Sequence, residues 1–133
     1  MFLEEIAARL VAQGVGTLSS NIFLGSRAAI PSGDGPYLSL TETGGSAPTH
    51  IQNTAVANTQ RPTAQIAVRA KKYNIARTMA NAAYVALDGI SNTTLSGTFY
   101  LSIRARQEPT DIGLDTIERV LITFNIEVEK LPS

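Results

Sequence analysis

The stretch AQIAVRAKKYNIARTMANAAYVALDG, residues 64–89, changes its hydrophobic period halfway along, and that change decides the fold class. In its first part Ile66, Val68 and Ala70 alternate with Gln65, Arg69 and Lys71. A period of two is the mark of a strand with one buried face. In its second part Ile75, Ala76, Met79, Ala80, Ala82, Ala83, Ala86 and Leu87 gather on one arc at about 100° per residue. Asn74, Arg77, Thr78, Asn81 and Asp88 take the other arc, with Val85 the one apolar intruder. That is an amphipathic helix, ended by Gly89 as a residue free to adopt positive φ. The stretch is therefore a sheet strand feeding a helix that covers the sheet. The apolar arc is mostly alanine, so the helix can approach closely.

Outward from this centre, residues 2–13 read as a second helix, with Phe2, Leu3, Ile6, Ala7, Leu10 and Val11 inward and Glu4, Glu5, Ala8 and Arg9 outward. Gly14 and Gly16 stop it. Residues 20–26 and 36–42 are short strand candidates, and the turn cluster PSGDG at 31–35 joins them as a hairpin. Towards the C-terminus, residues 97–106 alternate with Phe99, Leu101, Ile103 and Ala105 inward and Tyr100 outward. Residues 119–129 alternate more cleanly, with Val120, Ile122, Phe124, Ile126 and Val128 inward. The two strands read as antiparallel neighbours, with Arg104 and Arg106 facing Glu127 and Glu129. The expected fold class is α+β: one mixed, mostly antiparallel sheet of four to five strands, flanked by two helices, in the order α-β-β-(long loop)-β-α-β-β. The clean alternation leaves one sheet face for solvent or a partner.

The long loop is the chain's oddest feature. From Thr43 to Gln60 there is no Lys, Arg, Asp or Glu. Long patternless segments are uncommon in compact domains, and charge depletion marks the core of protein–protein interfaces. The expectation is one domain over 1–133, with a polar loop at about 43–63 that either docks on another polypeptide or is a plain polar insertion. Thr43, Gly44, Gly45, His50, Ile51, Val56 and Arg61 are its interface candidates.

The totals narrow the function. A chain of 133 residues with 44% apolar composition suits a single core. Eleven basic and eleven acidic residues cancel, so the overall field that draws proteins to nucleic acids or anionic membranes is missing. There is no cysteine, hence no disulfide framework and no thiolate metal site. The N-terminus lacks the charge layout of a secretory signal, and no apolar run reaches the roughly 18 residues of a membrane span; a soluble protein made in the cytosol is expected. His50, the sole histidine, has no acid within the ten residues after it. No nucleophile elbow, phosphate-cradling loop or dinucleotide fingerprint occurs. No catalytic residue, metal site or cofactor is assigned. Arg69, Lys71, Lys72, Arg77, Arg104 and Arg106 supply six of the eleven positive charges. Brought together they would form a basic stripe for nucleic-acid phosphates, a channel wall or a neighbouring subunit; the alternative is a solvated sheet face.

Several pieces, taken in order, carry a family likeness. Ile30–Gly33 reads I-P-x-G, and Glu42–Gly45 reads E-T-G-G before the long polar segment. Gln65–Ala70 reads Q-x-x-V-R-A, followed by Tyr73 and the pair Ala76–Arg77. Glu108–Pro109 and a closing R-x-x-x-x-F-N at Arg119–Asn125 complete the set. Over roughly residues 30–128 the chain resembles the tail terminator (minor capsid, tail completion) proteins of long-tailed bacteriophages. That resemblance implies a mixed sheet flanked by helices and no enzymatic activity. It implies a ring, hexameric in the family, that caps the tail tube, ends its polymerisation and joins the tail to the head connector. The implied partners are other copies of the chain, the tail tube protein and the head–tail connector protein, with passing contact to DNA in the channel and none with membrane. The implied location is the virion tail, assembled in the host cytoplasm. Gly44, Gly45 and the segment they open become contacts to a neighbouring subunit or the tube. Arg69, Lys71 and Lys72 become interface or channel candidates, with Arg104 and Arg106 on the same basic face. The rival readings are another head–tail connector or completion protein, a nucleic-acid-binding module using that basic face, and a small hydrolase around His50.

Overall fold

The structure, a computed structural model, describes residues 2–17, 20–25, 33–50, 57–114 and 118–131, with the side chains of 45–50 and 57–59 outside that description. Two helices and seven strands follow in the order α1 (Phe2–Ala12), β1 (Ile22–Leu24), β2 (Tyr37–His50), β3 (Ala57–Ala70), α2 (Tyr73–Leu87), β4 (Ile90–Leu95), β5 (Thr98–Ala105), β6 (Thr110–Leu114) and β7 (Val120–Lys130). The strands form one sheet in the order β1-β2-β3-β7-β5-β4, with β6 also paired to β7. The α+β class and the antiparallel pairing of β5 with β7 match the sequence expectation. The sheet has seven strands rather than four or five, because β4 and β6 were not foreseen. Residues of β6 are exposed throughout, so no buried face writes a period of two into their sequence.

The first two strands do not form a hairpin. β1 runs parallel to β2, with Ile22 opposite Leu38 and Leu24 opposite Leu40. Turn residues announce a change of direction, but not whether the chain comes back alongside the strand it left. The return into β2 is held by the Lys71 N–H, which donates to the Asp34 carbonyl at 2.7 Å. Gly35 is needed here: its φ is +86°, and a Cβ would lie 2.6 Å from the Arg69 carbonyl oxygen.

The largest correction concerns the expected loop at 43–63. β2 and β3 run through it as an antiparallel pair, with Gly44 opposite Thr63, Gly45 opposite Pro62, Ser46 opposite Arg61 and His50 opposite Ala57. Residues 51–56 lie outside the described residues. Backbone ladders need no apolar alternation; a period of two records burial of one face, so a polar ribbon can be fully paired and still look patternless.

Both helices pack on one face of the sheet. Ile66, Val68, Ile122, Phe124 and Ile126 from β3 and β7 are fully buried beneath them, together with Ala76, Ala80, Ala83 and Leu87 of α2. The Tyr84 ring meets the Phe124 ring edge-on at 5.8 Å. The alanines allow this close seating, as expected. Helix α2 ends at Leu87 and Gly89 has φ +84°, its N–H donating to the Ile103 carbonyl at 3.0 Å. The arc it buries is narrower than its apolar arc: Ile75 stays 44% exposed and Ala82 is exposed, while Val85 on the polar arc is 75% exposed as its position implies.

Three inward-facing residues were expected outside. A register shift between Tyr100 and Ser102 turns Thr98 and Tyr100 to the buried face. Glu5, expected on the solvent side of α1, is only 6% exposed. Its carboxylate accepts hydrogen bonds from the Thr98 hydroxyl and, at 2.7 Å, from the Tyr100 hydroxyl. The bulge thus supplies the donors that a buried carboxylate requires. Burial, followed by the bond to Glu5, pushes the Tyr100 hydroxyl pKa strongly upward.

Candidate functional site

The candidate residues fall into three groups once the strands are in register. Thr43, Gly44, Gly45, His50 and Arg61 lie along the β2–β3 hairpin. Thr43 is exposed and its hydroxyl is 2.7 Å from that of Thr63. The pairing shifts between Glu42 and Gly44, where Gly44 has φ +97° and no atom lies within 4 Å of the place a Cβ would take. A glycine is thus used for backbone freedom, at the point where the ladder is bulged. His50 ends β2, its side chain outside the description, and Ile51 and Val56 lie outside the described residues.

Arg69, Lys71 and Lys72 sit at the other end of β3. The Arg69 guanidinium donates to the Ser39 hydroxyl at 3.3 Å, and both lysines are exposed just before α2. Arg104 and Arg106 lie near the opposite end of the sheet face. Arg69 is opposite Leu121 and Arg104 opposite Glu127, six positions apart on β7. At roughly 3.3 Å per residue that is about 20 Å. One continuous basic stripe does not form. Arg104 and Arg106 both pair with Glu127, at 3.6 and 3.2 Å, while Arg61 pairs with Glu129 at 3.6 Å. This is the facing of arginines and glutamates that the alternation predicted. Arg61, Arg104, Glu127 and Glu129 edge an open groove also lined by Thr63 and Ser102. Its charges are largely matched, and among the described residues no cluster of three or more acidic or histidine side chains could hold a metal.

The motif residues behind the family likeness meet one another as structural fastenings. Arg77 donates to the Pro109 carbonyl at 2.6 Å and lies 5.8 Å from the Tyr73 ring centre. Gln65 stands opposite Asn125 in the ladder. Arg119 is 7% exposed, donates to the Gly33 carbonyl at 3.2 Å and lies 5.7 Å from the Tyr37 ring centre. Each fastens one element to another. Arg77, Glu108 and Pro109 also line a shallow hollow with Asn81 and Tyr84. The Glu5, Thr98 and Tyr100 cluster was missed in the sequence, because only the β5 bulge brings it together.

The candidate residues thus lie on strand surfaces and at fastenings between elements. The model of the bacteriophage tail terminator protein family matches residues 9–131, so the chain belongs to that family. It is accordingly a structural protein of a phage-type tail. Among solved structures, a chain from the virion of a native gene transfer agent particle is similar at TM-score 0.58 and 15% identity, over 98% of this chain and 91% of that one. A second solved protein, bearing only a sequence identifier, is similar at TM-score 0.50 and 16% identity, over 98% of each chain. At those identities the structural likeness concerns the fold alone. No curated protein sequence matches. No described helix is long and apolar enough to cross a membrane.

Proposed function

We propose that this chain is a subunit of a ring that caps the phage tail tube, ends its polymerisation and joins the tail to the head connector. The observation that carries the reading is the family match over residues 9–131. The β2–β3 pair supports it, because residues 43–50 and 57–60 of the charge-free stretch form a paired strand ribbon at the sheet margin. Charge there would oppose burial against another polypeptide. Its partners are further copies of itself, in a ring that is hexameric in the family, with the tail tube protein on one side and the connector protein on the other. It performs no catalysis. Assembly takes place in the host cytoplasm, and DNA passes the ring without a dedicated site. The nucleic-acid-binding alternative is disfavoured by the sharing of Glu127 between Arg104 and Arg106. Electron microscopy of growing tail tubes with and without the purified chain tests the proposal. Tubes of defined length with an added end cap are expected; uncapped tubes that keep growing in its presence would refute it.

A further inference from the structure

The sheet ends on margins of very different character. β1 pairs only with Leu38–Leu40 of β2, so among the described residues no strand lies beside β2 from Thr41 to His50 on the side away from β3. The Leu38 N–H donates to the Asn21 carbonyl at 2.6 Å, and the Leu40 carbonyl accepts from the Gly25 N–H at 2.7 Å. By the same parity the backbone groups of Glu42 point to the open side. Natural sheets guard such margins with lysines, short strands or bulges. Here no Lys or Arg occurs between Arg27 and Arg61, and Glu42 is the one charge on the open stretch. Pro48 withholds one donor near the far end, as prolines in strands do at margins.

β6 shows what a guarded margin looks like in the same molecule. It has five residues, carries Asp111, and is bulged where the Asp111 carboxylate accepts the Gly113 N–H at 2.9 Å. β4, the last strand at the far end of the sheet, is different again. Its six residues, ISNTTL, hold no charge, and it pairs only with β5. Among the described residues the sheet thus ends on two strand margins without positive charge, β2 beyond Leu40, where Glu42 is the single charge and the ladder is bulged, and β4, which has no charge.

We infer that copies of the chain join head to tail by strand addition, Thr41–Ser46 of β2 in one copy pairing with β4 of the next. This rests on the ring reading and specifies how its subunits meet. A second copy is the occupant because the chain itself supplies both margins. Neither margin carries a positive charge, and the copies are neutral, with eleven basic and eleven acidic residues each, so they do not repel. Main-chain hydrogen bonds give such a joint its strength without demanding apolar side chains. Unlike margins at opposite ends make the contact heterologous, which closes into a ring when its rotation divides a full turn.

The absence of cysteine makes the test direct. Tails assembled with the Thr43→Cys/Thr94→Cys variant are treated with a short bismaleimide and run on a denaturing gel. A ladder from dimer up to the closed ring is expected, with Thr43→Cys alone giving no more than dimer. A Thr43→Cys/Val85→Cys variant, its second thiol on the outer face of α2, is expected to give no ladder. Normally ended tails that contain the chain but give no ladder with Thr94→Cys, or give one only with Val85→Cys, would overturn the strand joint and leave the tail-end role standing. Tails whose ends contain no copy of the chain would overturn both. A thermal melt of each variant shows that it is folded.

Discussion

β7 and β2 are neighbours but one in the same sheet, and they are built on opposite plans. β7 is paired on both sides along its length, by β3 on one and by β5 and β6 on the other, and its Ile122, Phe124 and Ile126 are fully buried. Among the described residues β2 is paired on both sides only where β1 reaches it, and beyond Leu40 its backbone has β3 alone. Burial stabilises the first region within the single chain. The second has spare hydrogen-bonding capacity that another polypeptide can use. Substitutions should therefore damage folding around β7 and assembly around β2.

The largest effect is expected from Phe124→Ala. It removes a fully buried ring from beneath α2 and should cost about 3–5 kcal/mol in urea unfolding. Gly35→Ala should come close to it, at roughly 3–5 kcal/mol, because positive φ and the 2.6 Å overlap with the Arg69 carbonyl oxygen act together. Gly44→Ala provides the contrast. Its φ is also positive but nothing crowds the added methyl, so a cost of about 1–2 kcal/mol is expected, with a larger relative loss in tube capping. Equal unfolding costs at the two glycines would break the comparison.

Next in size is Tyr100→Phe. It leaves the buried Glu5 carboxylate with one hydroxyl donor instead of two, at about 1–3 kcal/mol near neutral pH. The raised Tyr100 pKa adds a pH signature. The unfolded chain ionises its tyrosines at about pH 10, whereas folded Tyr100 holds its proton to higher pH. This contribution is therefore fully present below pH ~10 and falls away as pH rises above it. Urea midpoints between pH 8 and 11 should decline more steeply for the parent chain than for Tyr100→Phe. The smallest effect belongs to the exposed pair Arg61–Glu129, where a double-mutant cycle should return about 0–1 kcal/mol, shrinking with added salt. A coupling well above that would mean the groove is already desolvated in the isolated subunit.

Much of the buried half of the fold was legible. The period change at 64–89 marked β3 and α2, and the alternation of 119–129 marked β7, because burial of one face writes its period into the residues. The alternation also matched Arg104 and Arg106 with Glu127. What burial does not write was not legible: β6 is exposed throughout, and β4 shows no apolar alternation. The hairpin at 43–63 was legible only as an absence of charge. Its composition pointed to contact with other polypeptides but concealed its ladder, since main-chain pairing leaves no mark on side-chain pattern.

By itself the sequence determined the class, the central strand and helix, the charge-free stretch and the order of motifs shared with tail terminators. Only the tertiary structure decided that β1 runs parallel to β2, that a one-residue shift in β5 turns Tyr100 inward to meet Glu5, and that among the described residues no strand lies beside β2 beyond Leu40 on the side away from β3. The reason is one of range. Periodicity is set by each residue's nearest environment, whereas register, strand order and open margins depend on which distant segments pair.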